Sequence, residues 1–133
     1  MKKWMIFCIG FAVIFIGGYM AYNNQDGKAR EVRIVAEYQA IKHPEGAKTV
    51  YYELNRKFIK RWISSKYTYP ISSDEVKRYY DIELASKGWQ QIQYNSRPDY
   101  IFYAYAKDNL ELVFGLNEKN SWTLTIYYVD AKY

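Results

Sequence analysis

The stretch 72–89, SSDEVKRYYDIELASKGW, marks its own structure at both ends and limits how the residues around it can be arranged. Ser72 or Ser73 suits a helix N-cap, because a serine oxygen accepts from the free backbone N–H groups of the first turn. Ser72 with Glu75 makes the S-x-x-E capping box, and Asp74 and Glu75 favour the positive end of the helix dipole. Lys87 falls in the last turn and Gly88 is the left-handed residue that ends it. Val76, Tyr79, Tyr80 and Leu84 recur at helical spacing, with Asp74, Arg78 and Asp81 opposite. Glu83 falls inside the apolar arc. It reads as a rim carboxylate, paired with Lys87 four residues on or bonded to a tyrosine hydroxyl. The sharper alternative is a desolvated carboxylate available to a site.

The residues around this helix read as strands. Sixteen tyrosines and four tryptophans favour a sheet, where aromatic rings pair across strands. Residues 48–54 and 58–69 read as two strands joined near Asn55 and Arg56, and Pro70 ends the second. After Gly88, 89–94 is a short strand and 95–99 a loop. Residues 100–106 and 110–116 form a hairpin about the turn 107–109, and 117–121 turns into 122–129. In that last strand Trp122, Leu124, Ile126 and Tyr128 alternate with Thr123, Thr125, Tyr127 and Val129. The expected fold class is α+β: an N-terminal transmembrane helix, then an antiparallel β-sheet covered by one main helix, in β-β-α-β-β-β-β order.

The transmembrane expectation comes from residues 1–22. Lys2 and Lys3 are followed by no charge until Asp26, and residues 5–22 are apolar apart from small residues and tyrosine. A bilayer core needs about 20 such residues. A cleaved signal peptide competes with an uncleaved signal-anchor. The run is longer than an ordinary signal core, and a cut after Ala21 puts Tyr19 three residues before it, so the anchor is favoured. Cys8 lies too early, after Ile6 and Phe7, for a lipoprotein cysteine. The short basic tail places the anchor in a bacterial inner (cytoplasmic) membrane, single-pass, with the C-terminal domain extracytoplasmic. Residues 4–22 would contact lipid, with Trp4, Tyr19 and Tyr22 at the interfaces. Gly17 and Ala21 have the small-xxx-small spacing of close helix pairs, so a homodimer through this helix is a weaker expectation.

Residues 23–42 read as a linker and a short juxtamembrane helix. Asn23 to Gly27, NNQDG, is turn-prone, and Val32, Val35, Ala36, Gln39 and Ala40 then recur at helical spacing. That helix ends before His43 and Pro44, since a residue preceding proline disfavours helix. The soluble domain is expected over 43–133.

Catalytic chemistry is not indicated. His43 is the one histidine and reads as an exposed loop residue; no G-x-S-x-G elbow accompanies it. With Cys8 in the apolar segment, neither zinc ligation nor a thiol nucleophile is available to residues 43–133. No calcium loop, Walker motif or G-x-G-x-x-G is present. The expectation is no enzyme, no cofactor and no metal. The net charge of +5, two of it from Lys2 and Lys3, is too small to argue for nucleic acid. One stretch stands out, Arg56-Lys57-Phe58-Ile59-Lys60-Arg61-Trp62. As a strand it puts Arg56, Phe58, Lys60 and Trp62 on one side, and with Arg61 these form the candidate ligand-binding set, since basic groups beside aromatic rings hold anions. The plainer reading is a solvated face whose long side chains cover aromatic rings.

Two motifs carry a resemblance: the turn Pro44-Glu45-Gly46-Ala47, P-x-G-A, and the helix end Tyr79-Tyr80-Asp81-Ile82-Glu83-Leu84-Ala85-Ser86-Lys87-Gly88-Trp89, Y-Y-x-x-x-L-x-x-x-G-W. Over residues 42–130 the chain resembles a recurrent type of small bacterial exported or membrane-anchored domain. The resemblance implies a fold and an envelope location, and no active-site residues.

These readings lead to a non-enzymatic, membrane-anchored envelope protein whose α+β domain binds another protein, in the manner of an inhibitor or immunity protein. The alternatives are a module for cell-wall glycan or anionic lipid on a tyrosine-rich, basic-aromatic sheet face, and a small hydrolase using carboxylates brought together by the fold.

Overall fold

The computed structural model describes residues 2–22 and 25–131. Helix α3 (Ser73–Ser86) has the expected ends. The Ser72 hydroxyl accepts from the Glu75 N–H at 3.2 Å, and the Glu75 carboxylate accepts from the Ser72 N–H at 3.1 Å. At the far end Trp89 N–H reaches Leu84 O and Gly88 N–H reaches Ala85 O, with Gly88 at φ +87. That is the Schellman closure, and its apolar contact is Trp89 against Leu84, both buried. Ser72→Ala removes one half of the capping box and is expected to cost about 1 kcal/mol in urea unfolding, with no change in the folded far-UV spectrum.

A six-stranded antiparallel sheet carries the rest. Its strands are β1 (Lys48–Lys57), β2 (Lys60–Thr68), β3 (Gln90–Arg97), β4 (Tyr100–Lys107), β5 (Leu110–Glu118) and β6 (Ser121–Tyr128). Across the sheet they run β1-β2-β6-β5-β4-β3, which differs from the succession of the chain. β2 pairs with β6, in the register Ile63 to Ile126 and Tyr67 to Trp122. The chain therefore leaves β2, crosses the sheet in α3, and returns as the meander β3 to β6. Tyr80 of α3 packs on Phe114 and Trp122, with ring centroids 5.1 and 6.1 Å away. One face of the sheet, with Ile63, Leu112, Phe114, Trp122, Leu124 and Ile126, is fully buried.

The expected single covering helix is corrected to two. Helix α2 (Gln25–Ala40) joins the same core through Ile34 and Tyr38, and Ile41 follows it. Its buried face runs Gly27, Ile34, Tyr38, with Glu31 on the same side; Val32, expected on the apolar stripe, is 70% exposed. The reason lies in β2. Arg61 is 2% exposed and donates from Nε to Glu31 Oε2 at 3.0 Å. A β-carbon on Gly27 would stand 2.7 Å from Arg61 Nη2, so only glycine lets the helix come this close.

Helix α1 (Lys2–Tyr22) requires a second correction. Among the described residues no helix is long and apolar enough to cross a membrane. This overturns the expected transmembrane helix, and with it the inner-membrane, single-pass placement. Met1, Asn23 and Asn24, and the side chains of Lys2, Lys3, Trp4, Ala21 and Tyr22, lie outside the described residues; the expectations about orientation, anchoring and cleavage rested on them.

Candidate functional site

The stretch 56–62 does not form one strand. Its turn falls at Phe58 and Ile59 rather than at Asn55 and Arg56, with Lys57 opposite Lys60. Folding back at that point moves the side chains. Arg56 lies opposite Arg61, and both face the helices; Lys60 and Trp62 point to the other, open side of the sheet. Arg56 grips Glu31 with two bonds of 2.8 and 2.7 Å. Arg61 adds its own bond to Glu31 and donates from Nη1 to Phe58 O at 2.6 Å and Lys60 O at 2.8 Å. Of the expected ligand-binding set, Arg56 and Arg61 thus hold the hairpin to α2.

Phe58 sits at the hairpin tip. Its φ is +54, a left-handed conformation that favours glycine and is strained for a phenylalanine. Its side chain is 65% exposed, and that of Ile59 beside it 41%. Burial in the core therefore gives nothing back for the strain. Arg61, bonded to the carbonyls of Phe58 and Lys60 from beneath, holds the tip in this shape.

The open face of the sheet carries a groove of about 480 Å³. Ala104, Val113 and Thr125 are its small residues, on three adjacent strands. The rings of Tyr100, Phe102 and Tyr127 line it, with the Gln93 amide. Glu111, 8% exposed, also lines it, and its Oε2 accepts the Tyr127 hydroxyl at 2.6 Å. A β-carbon on Gly115 would come within 2.8 Å of the Tyr100 hydroxyl, so glycine there lets Tyr100 lie across β5. Trp62 stands opposite Tyr127 in the β2–β6 register, which extends the aromatic surface beyond the groove, and Lys60 and Lys66 lie on that same face of β2.

No family model, curated protein or solved structure matches the chain. The likeness to small exported bacterial domains rests on its turn and helix-end motifs alone.

Beneath the helices lies a second concentration of polar groups, organised around His43. The expected exposed loop histidine is instead half-buried. Its ring stacks on Tyr67 with centroids 4.1 Å apart, and its Nδ1 is 2.8 Å from the Tyr80 hydroxyl. Tyr80 is fully buried and accepts from Trp122 Nε1 at 2.9 Å. With the Trp122 N–H donating to it, the Tyr80 hydroxyl has its own proton to offer His43 Nδ1, which accepts in the tautomer protonated on Nε2. Burial lowers the His43 pKa, against an opposing pull from Glu83. Burial also pushes the Tyr80 hydroxyl far above its ordinary range. The Tyr38 and Tyr67 hydroxyls meet beside this chain of bonds. Glu83 accepts the Lys42 N–H at 2.8 Å and lies 4.0 Å from Lys87 Nζ, a rim carboxylate tying the loop to α3. The cluster has the architecture of a structural lock, in which the Tyr80 hydroxyl joins His43 Nδ1 to Trp122 Nε1.

The sequence reading missed the groove residues Glu111, Tyr100, Phe102 and Tyr127. A signal was present in the alternation of β5, where Glu111 interrupts Leu110 and Leu112, and in Ala104, Ala106 and Gly115 at matching parity on neighbouring strands. Among the described residues no group of three His, Cys, Asp or Glu is placed to hold a metal ion.

Proposed function

We propose that this protein is a non-enzymatic binding domain that docks another protein through the tip of the β1–β2 hairpin and the open sheet face behind it. The observation that carries this reading is Phe58, a strained and exposed aromatic whose backbone carbonyl is bonded by Arg61. An exposed aromatic on a fixed backbone is an anchor of the kind protein interfaces use, since it buries a large apolar area with few side-chain torsions to order. Trp62 and Tyr127 extend the same surface, and aromatic residues are enriched in interface cores. The alternative of an anionic ligand on a basic strip is weakened, because Arg56 and Arg61 are engaged by Glu31.

Phe58→Asn separates the structural from the binding role. Asparagine tolerates the left-handed conformation, so the variant is expected to be more stable by about 1 kcal/mol. Full-length wild-type protein, immobilised and washed at high salt, should retain a stoichiometric protein partner identified by mass spectrometry. The asparagine variant should lose it by at least an order of magnitude. A partner held equally by both proteins overturns the reading.

A further inference from the structure

We infer that the β3 edge of the sheet pairs with the β3 of a second copy of this chain, antiparallel about a twofold axis near Tyr94, so that the two sheets become one. Among the described residues no strand lies beyond β3, and apart from half-buried Asn95 its residues are exposed on both faces. Residues 90–96, QQIQYNS, carry neither charge nor proline, the two devices that ordinarily guard an open edge; Arg97 and Pro98 come at its end. The other edge is guarded, since β1 carries Lys48, Glu53, Arg56 and Lys57. A bulge interrupts β3 between Gln91 and Gln93, and beyond it the register with β4 is unbroken from Gln93 to Arg97. The side chains point to the occupant. On the helix side of the sheet an aromatic row runs outward from the core, with Phe114 stacked on Tyr103 at 6.1 Å between centroids and Tyr103 against Tyr94 at 5.0 Å. The row stops at Tyr94, which is 54% exposed. A twofold axis at that point sets the Tyr94 rings of the two copies against each other and continues the row into the second core, the kind of cross-strand aromatic pair that stabilises a sheet. Running antiparallel, each Arg97 then falls near the uncharged glutamines at the start of the other strand, with no like charge opposite. A foreign strand would find the same backbone edge but would have to supply its own ring. One short strand pair buries less than a standard interface, so the dimer is weak, with a dissociation constant of about 10–100 μM. β3 lies at the opposite edge of the sheet from the β1–β2 hairpin, so this contact is independent of the docking reading and leaves both hairpins at the outer ends of the dimer.

Sedimentation velocity on the full chain, at concentrations bracketing that constant, should show a monomer passing into a dimer. Tyr94→Lys and Tyr94→Glu each place like charges at the axis, and each alone should weaken self-association by at least about tenfold. Tyr94 is largely exposed, so both variants should keep the wild-type far-UV spectrum. The decisive sample is an equal mixture of the two variants. If residue 94 meets itself across a twofold axis, lysine then faces glutamate and the mixture should dimerise at least about tenfold more tightly than either variant alone. A wild type that stays monomeric throughout overturns the inference, as does association that ignores both substitutions, or a mixture no tighter than its components. Phe58→Asn should leave the dimer unchanged. A monomeric wild type that still captures its partner through Phe58 rejects the dimer and leaves the docking reading standing; a dimer governed by residue 94 whose capture ignores Phe58 does the reverse.

Discussion

Glu31→Gln is expected to lower the unfolding free energy by about 2–3 kcal/mol, near the lower end for breaking a buried ion pair because Glu31 keeps some exposure. Glutamine preserves shape and removes the charge. Arg61, 2% exposed, is then left as a buried guanidinium without a counter-charge, and one of the two oxygens that Arg56 and Arg61 share becomes an amide NH2 that cannot accept. In urea this corresponds to a midpoint lower by about 1–2 M. Adding Arg61→Met to the glutamine variant should recover much of the loss, since an apolar side chain of similar length leaves no stranded charge. No recovery would show that the carbonyl bonds of Arg61 outweigh its pairing. The acid limb of the stability curve should change too. The bonds from Arg56, with help from Arg61 and against the effect of burial, hold the Glu31 carboxyl below its ordinary value of 4.5. The folded protein then binds that proton more weakly than the unfolded chain. Stability is complete above the ordinary value and is lost as pH falls through the folded one. The glutamine variant should lack this part of the acid loss.

The second large effect is expected at Tyr80→Phe. Removing one hydroxyl strands two buried groups, Trp122 Nε1 and His43 Nδ1, at a cost of about 2–4 kcal/mol. Tyr79→Phe is the natural control: its hydroxyl donates to Lys42 O near the surface, and its loss should cost less than about 1 kcal/mol. His43 supplies a second readout. Its pKa is lowered by burial, so between the folded value and the ordinary 6.5 the unfolded chain takes up the proton that the folded protein refuses. Stability therefore falls as pH drops below 6.5, no faster than about 1.4 kcal/mol per pH unit for one proton. Stability measured at pH 7.5 and 5.5 in wild type and in Tyr80→Phe separates two roles for the bond. A smaller acid loss in the variant means that the Tyr80 proton on Nδ1 helps keep the imidazole neutral. An identical loss means that burial alone does so.

Local chemistry explains which parts of this fold were legible. The ends of α3 follow from Ser72, Glu75 and Gly88, each acting within a turn of its own position, and they lie where the residues place them. The alternation in β6 likewise separates buried Trp122, Leu124, Ile126 and Tyr128 from the residues between them. The face that α2 buries was hidden because Gly27 and Glu31 look like linker and surface residues. Their burial is dictated by Arg61, on a strand some 30 residues away. The β1–β2 turn was misplaced for a related reason. Phenylalanine is not a turn residue, and its left-handed backbone is imposed by the bonds Arg61 makes to Phe58 and Lys60. The order of strands across the sheet rests on β2 pairing with β6, which no local pattern encodes. The expected candidate set shares Phe58, Lys60 and Trp62 with the surface proposed for docking, while the groove depends on four strands assembling side by side.

That pairing governs how the chain can reach its folded state. β6 follows every other strand in the sequence and yet sits in the middle of the sheet, between β2 and β5. A nascent chain that has not yet released residue 121 holds two unfinished pieces, the β1–β2 hairpin with its helix and the β3–β5 meander. Each exposes an open strand edge that β6 alone is built to fill. Closing it spans the separation from Trp62 to Tyr127, an entropic cost that must be met before the native contacts form. Synthesis of this domain thus passes through an interval in which two sticky edges face the cell, and its yield should depend on how quickly the final strand arrives.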